Sequence, residues 1–112
     1  MKQLLLIIAI STSLAYARET LTVNESITIT LASNPTTGYS WRCVCRPKEH
    51  INVSHAYTRT QNTTGLMGAG GTETFTLTAL KPGNVTCVLE YGRAWDPGSF
   101  GDAHTYELII QD

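Results

Sequence analysis

The sequence predicts an all-β protein, an immunoglobulin-like antiparallel β-sandwich of about seven strands. Three observations carry that expectation. Threonine supplies 16 of the 95 residues that follow position 17, and β-branched side chains suit a pleated, half-buried surface. Apolar residues recur with a period of two, the spacing that sends alternate side chains to one face of a strand. Turn-rich stretches at 33–38, 58–71, 80–84 and 96–102 cut the chain into short segments, and no window beyond the first 17 residues has helical spacing.

Each segment repeats the pattern. Leu21 and Val23, then Ile27, Ile29 and Leu31, alternate with Thr22, Thr28 and Thr30. Trp41, Cys43 and Cys45 share one face of the next strand, and Ile51, Val53, His55 and Tyr57 one face of another. Phe75, Leu77 and Ala79 alternate with Thr74, Thr76 and Thr78. Val85, Cys87, Leu89 and Tyr91 line the following segment, and Tyr106, Leu108 and Ile110 the last. Strands this short and this numerous close into two packed sheets. No linker, repeat or low-complexity segment divides the chain.

The first 17 residues are of another kind. Met1-Lys2-Gln3 is a positively charged start, and Leu4 to Ile10 is an apolar run too short to cross a bilayer of about 30 Å. Ala15-Tyr16-Ala17 has the small-x-small form of a signal-peptidase site. Residues 1–17 are therefore expected to be a signal peptide and 18–112 the working domain. That domain is expected to be monomeric and without a membrane anchor, in the secretory pathway, either secreted or held in lysosome- or phagosome-like vacuoles. Asn24, Asn52, Asn62 and Asn84 open four N-glycosylation sequons, while Pro35 disqualifies Asn34. Beyond position 17 there are 7 basic and 9 acidic residues, a net charge of −2, with no basic patch. This argues against nucleic acid or an anionic membrane as the partner.

Three cysteines in a secretory chain imply one bridge and one spare thiol. In immunoglobulin order the strands bearing Cys43 and Cys87 are antiparallel neighbours whose loops meet at one end. Cys43 lies four residues past Tyr39 and Cys87 four before Tyr91, so equal offsets from that end place Cys43 opposite Cys87. A slip of two residues would pair Cys45 instead. A zinc site from Cys43-x-Cys45 with His50 or His55 has poor geometry, because structural zinc takes spacers of two to four residues between thiolates. No metal and no cofactor are expected. Cys45 with His50, or Cys43 with His104, makes an unconvincing enzyme, since no helix N-terminus or strand-to-helix turn lowers the thiol pKa. The histidines are expected at the surface or rim.

Three loops differ from ordinary turns. In Asn34-Pro35-Thr36-Thr37-Gly38-Tyr39, Asn and Pro stiffen the entry, Gly38 permits a positive φ, and two small hydroxyl residues form the tip. In Gly65-Leu66-Met67-Gly68-Ala69-Gly70-Gly71, two apolar side chains precede a glycine strip that a foreign backbone can approach closely. Tyr91-Gly92-Arg93-Ala94-Trp95 pairs an arginine with a tryptophan, two residue types that dominate interface hot spots.

Together, in this order on a seven-strand sandwich, the loops resemble those of the chagasin-type inhibitors of papain-like cysteine peptidases. The resemblance covers essentially all of 18–112. It rests on Asn34 to Tyr39 with Trp41, on Gly68-Ala69-Gly70-Gly71-Thr72-Glu73, and on Tyr91 to Trp95. It departs at Ala94, where the family usually has proline. The resemblance implies a reversible, tight-binding inhibitor, not an enzyme, whose B–C, D–E and F–G loops form a three-part wedge. Thr36, Thr37 and Gly38, flanked by Asn34, Pro35 and Tyr39, would sit over the target's catalytic Cys–His pair. Leu66, Met67, Gly68, Ala69, Gly70 and Gly71 would run along the unprimed cleft, and Arg93 with Trp95 would pack on the primed side. The target would be a cathepsin L-type peptidase, endogenous and lysosomal or belonging to a host or prey. The alternative is a secreted immunoglobulin-like adhesion or ligand-binding module, which needs neither the Thr-Thr-Gly tip nor the glycine strip.

Overall fold

Alternation decides which side chains turn inward. In the computed structural model, which describes residues 3–7, 15–59 and 70–112, eight strands follow in chain order. They are β1 (Gln3–Ile7), β2 (Ala15–Thr22), β3 (Ser26–Ser33), β4 (Tyr39–Arg46), β5 (Ile51–Arg59), β6 (Gly71–Ala79), β7 (Gly83–Arg93) and β8 (Asp102–Gln111). Ile27, Ile29 and Leu31 meet Phe75, Leu77, Leu89, Tyr106 and Leu108 in one core between the sheets. The threonines take the opposite phase. On the outer face, β3 and β6 pair Ser26 with Thr78, Thr28 with Thr76 and Thr30 with Thr74, and the first pair's hydroxyls lie 2.7 Å apart. The threonine surplus is in part a cross-strand ladder, the kind of pair that stabilises a sheet surface by a few tenths to about 1 kcal/mol.

The expected immunoglobulin-like sandwich is present as two four-stranded sheets, ordered β1-β3-β6-β5 and β2-β8-β7-β4. Pairing is antiparallel along β3-β6-β5 and β8-β7-β4, but β1 joins β3, and β2 joins β8, in parallel. For β2 the reason lies in the turn that follows it. Val23 N donates to Gln111 O in one sheet and Asn24 N to Ala79 O in the other, both at 2.8 Å. Asn24 takes φ +77°, a region asparagine tolerates better than most side chains. The chain thus changes sheets instead of doubling back in a hairpin, leaving β2 beside the C-terminal strand.

The strands bearing Cys43 and Cys87 are antiparallel neighbours, yet in a register two residues away from the expected one. β7 runs on to Arg93, which faces Tyr39, so Trp41 faces Tyr91 and Cys45 faces Cys87. The disulfide is Cys45–Cys87, not Cys43–Cys87. Cys43 faces Leu89 and keeps a free thiol, its sulfur 3.7 Å from that of Cys45. Burial pushes the Cys43 thiol up to about 11. His104 also departs from expectation. It is buried, with its ring 5.2 Å from that of Trp41, and that burial lowers its pKa against the opposing pull of Asp102.

Candidate functional site

Because Tyr39 pairs with Arg93, the β3–β4 and β7–β8 connections leave the sandwich at one end. Gly71 pairs with Ser33 on one side and Arg59 on the other, so the β5–β6 connection starts and finishes there too. Leu66, Met67, Gly68 and Ala69, with the sequon residue Asn62, lie outside the described residues. Of the expected second loop only Gly70 and Gly71 are described.

The first loop is closed by its own bonds. Pro35–Thr37 form a single 3-10 turn. Asn34 O accepts from Thr37 N at 3.1 Å and from Thr37 Oγ1 at 2.7 Å, and the Thr36 hydroxyl donates to Asn34 Oδ1. Gly38 then reverses the chain at φ +86°. Thr36 and Thr37 are left exposed at the tip. The third loop is knitted by Ser99 and Asp96. Arg93 N donates to Ser99 Oγ at 2.7 Å, Ser99 Oγ to Asp96 O at 2.6 Å, and Asp96 N to Arg93 O at 3.0 Å. Trp95 is 72% exposed, so it does not plug the core.

The two loops are fastened to each other. Asn34 N donates to the Tyr91 hydroxyl at 3.1 Å, and Arg93 Nε donates to Thr37 O at 3.3 Å. The Arg93 guanidinium lies 4.5 Å from the centre of the Tyr39 ring, and Tyr39 and Trp41 both pack on Tyr91, with centroids 5.4 and 4.9 Å apart. A Cβ on Gly38 would come within 2.6 Å of Trp95 Cη2, which means the indole rests against the first loop's glycine. Gly70 joins this end in the same way. It is buried with φ +78°, and a Cβ there would come 2.9 Å from Ser33 O. The result is a rigid ridge presenting two small hydroxyls and one broad aromatic. A potential soft-metal group, Cys43 with Cys45 and Cys87, lies on the core-facing side of β4 and β7, and its disulfide occupies two of the three sulfurs.

Residues 20–110 match the model of the chagasin family peptidase inhibitor I42. The chain belongs to the chagasin family. That family is one of peptidase inhibitors, not of enzymes. Chagasin from Trypanosoma cruzi is 38% identical over 95 residues, which span 82% of this chain and 86% of that protein. Amoebiasin-1 from Entamoeba histolytica is 33% identical over 92 residues, 82% of this chain and 88% of its own length. The solved structure of the cysteine protease inhibitor EhICP2 from Entamoeba histolytica is similar with a TM-score of 0.79 at 25% identity, covering 97% of each chain.

Three residues hold this chagasin-family ridge together by contacts that sequence reasoning did not foresee: Ser99, which no motif included, and Tyr91 and Glu73, which stood in the motifs without a side-chain role. Tyr91 was legible as an inward apolar position and as the start of the third loop, and Ser99 only as a turn residue. Glu73 had a usable signal, since it shares the inward phase of Phe75, Leu77 and Ala79, a place where a charge is costly unless partnered.

Proposed function

We propose that this chain is a reversible, tight-binding inhibitor of papain-like, cathepsin L-type cysteine peptidases, occluding their active-site cleft with its three loops. The observation that carries the reading is the joining of loops one and three through Thr37, Gly38, Arg93 and Trp95, which yields one preformed surface. EhICP2, similar over nearly its whole length, is itself a cysteine protease inhibitor, and that supports the class of target.

In this reading Thr36, Thr37 and Gly38 cover the catalytic Cys–His pair, the 66–71 strip lies along the unprimed cleft, and Trp95 packs on the primed side. Asn34 and Tyr39 shape the first loop from within. Arg93 contributes chiefly by holding that loop to the third, because its guanidinium is already engaged by Thr37 O and the Tyr39 ring. The inhibitor escapes hydrolysis for a geometric reason. Attack needs a carbonyl carbon roughly 3–3.5 Å from the thiolate with aligned orbitals. Here the Asn34 carbonyl is held by Thr37 of its own loop and the Thr37 carbonyl by Arg93 of the third, so the backbone resists bending into a substrate pose. The same bonds keep the ordering entropy lost on binding small. Ala94 forgoes proline's fixed φ, and the Ser99–Asp96 bonds supply rigidity in its place.

The test is a titration of papain with the purified protein and three variants. Thr36→Arg, Thr37→Arg and Trp95→Ala, all at exposed positions, are each expected to weaken inhibition tenfold or more while remaining folded. Full potency in all three would refute the loop assignment. We further propose that residues 1–17 are removed in transit. Cleavage after Ala17 retains Arg18–Thr22 of β2, with its pairing to Glu107–Gln111 and the buried Leu21. Intact-mass measurement of the exported protein should give a chain beginning at Arg18, and a chain retaining residue 1 would overturn this. Asn24, Asn52 and Asn84 are exposed, which suits their use as glycan acceptors on that route.

A further inference from the structure

We propose that Glu73 is a positioning residue for the inhibitory end, clamping both stems of the first loop to the strands that bracket the second. This rests on the inhibitor reading above. Glu73 is 1% exposed and sits on β6 two residues after Gly71. Its carboxylate is met by three groups, one of which reaches both oxygens. The Ser33 hydroxyl, at the end of β3, donates to Oε2. Trp41 N, at the start of β4, reaches Oε1 at 3.2 Å and Oε2 at 3.0 Å. His55 Nε2, on β5, lies 2.7 Å from Oε1. Ser33 and Trp41 are the residues on either side of the first loop and belong to different sheets. β4 is the outer strand of its sheet, so among the described residues no strand on its far side from β7 competes for the Trp41 amide. Trp41 strengthens the clamp by donating Nε1 to Ala32 O at 3.0 Å.

A buried carboxylate is expensive unless its acceptor sites are filled, and removing one partner leaves an uncompensated charge. The network therefore tolerates one arrangement of Ser33, Trp41 and His55 about β6, which fixes where loop one stands relative to Gly70 and Gly71. Glutamine has the same shape but replaces one of the two oxygens that face the Trp41 amide with an NH2 group, a donor set against a donor. E73Q thus loosens the stems without opening a cavity.

The test compares E73Q with L77A, a core variant remote from the loops. Dissociation from papain whose active-site thiol is oxidised is measured for each, alongside thermal unfolding and backbone amide spectra. E73Q is expected to dissociate at least tenfold faster than wild type, with amide shifts at 33–41 and 70–71. L77A is expected to melt lower yet dissociate at the wild-type rate. Wild-type dissociation by E73Q, or losses that track melting temperature alike in both variants, would overturn the proposal. If E73Q does not fold, S33A and H55F each delete one arm and carry the same comparison. If the wild type does not bind papain, the inhibitor reading fails first. The amide spectra then decide the clamp alone: shifts reaching 33–41 support it, and shifts confined to 72–74 contradict it.

Discussion

Cys43 is a residue whose neighbours decide its chemistry. It lies 3.7 Å from one sulfur of the Cys45–Cys87 bridge, close enough to exchange with it, but burial holds its thiol near 11 and the thiolate is the nucleophile. Non-reducing peptide maps should find Cys45 joined to Cys87, with Cys43 alkylated by iodoacetamide at pH 8 only after unfolding. Fast alkylation of native Cys43 would contradict the burial argument. His104 makes a pH prediction. Its folded pKa is lowered by burial, so the unfolded chain takes up the proton first, at about 6.5. Stability is then full above that pH and falls as pH drops through it toward the folded value. Chemical denaturation from pH 7.5 to 5 should show this loss, and His104→Gln should flatten the slope. An unchanged slope would assign the acid sensitivity elsewhere.

Among the elements, the strands were legible and their register was not. A period of two fixes which residues turn inward, and it caught nearly every buried apolar position from Leu21 to Ile110. A slip of two residues, however, leaves every side chain on the same face. No pattern in the sequence therefore separates Cys43 from Cys45 as the partner of Cys87. The extra length of β7, which carries pairing to Arg93, decides it. The same periodicity places Glu73 and His104 inward, but His104 was expected at the surface or rim by residue type, and Glu73 entered only as part of a loop motif. The loops are read best where backbone conformation dictates the residue. Gly38 at φ +86° with Trp95 against its Cα is such a place. Gly38→Ala should cost about 1–2 kcal/mol in backbone strain, and it should push the indole aside. The expected readings are a modest drop in denaturation midpoint and a clear shift in the Trp95 side-chain NMR resonance. An unmoved indole would mean that the contact does not couple the loops.

At the scale of the whole molecule, a small sandwich stapled by one disulfide, worth about 2–4 kcal/mol, presents a preformed ridge at one end. The Tyr91–Asn34 and Arg93–Thr37 bonds join its first and third loops. Membership of the chagasin family makes the chain a peptidase inhibitor. The order Thr-Thr-Gly, glycine strip, Arg-x-Trp was readable in advance, because these are short motifs whose chemistry is local. The bonds joining the loops were not, because they depend on the register of β4 against β7. We propose that this ridge blocks the catalytic cleft of a papain-like enzyme without being consumed. The deciding measurement is papain activity against a fluorogenic peptide over a range of substrate concentrations. The expected result is an apparent inhibition constant that rises linearly with substrate, full recovery of activity on dilution, and inhibitor recovered at its intact mass. No inhibition at micromolar protein, inhibition indifferent to substrate, or an inhibitor cleaved in its loops would contradict it.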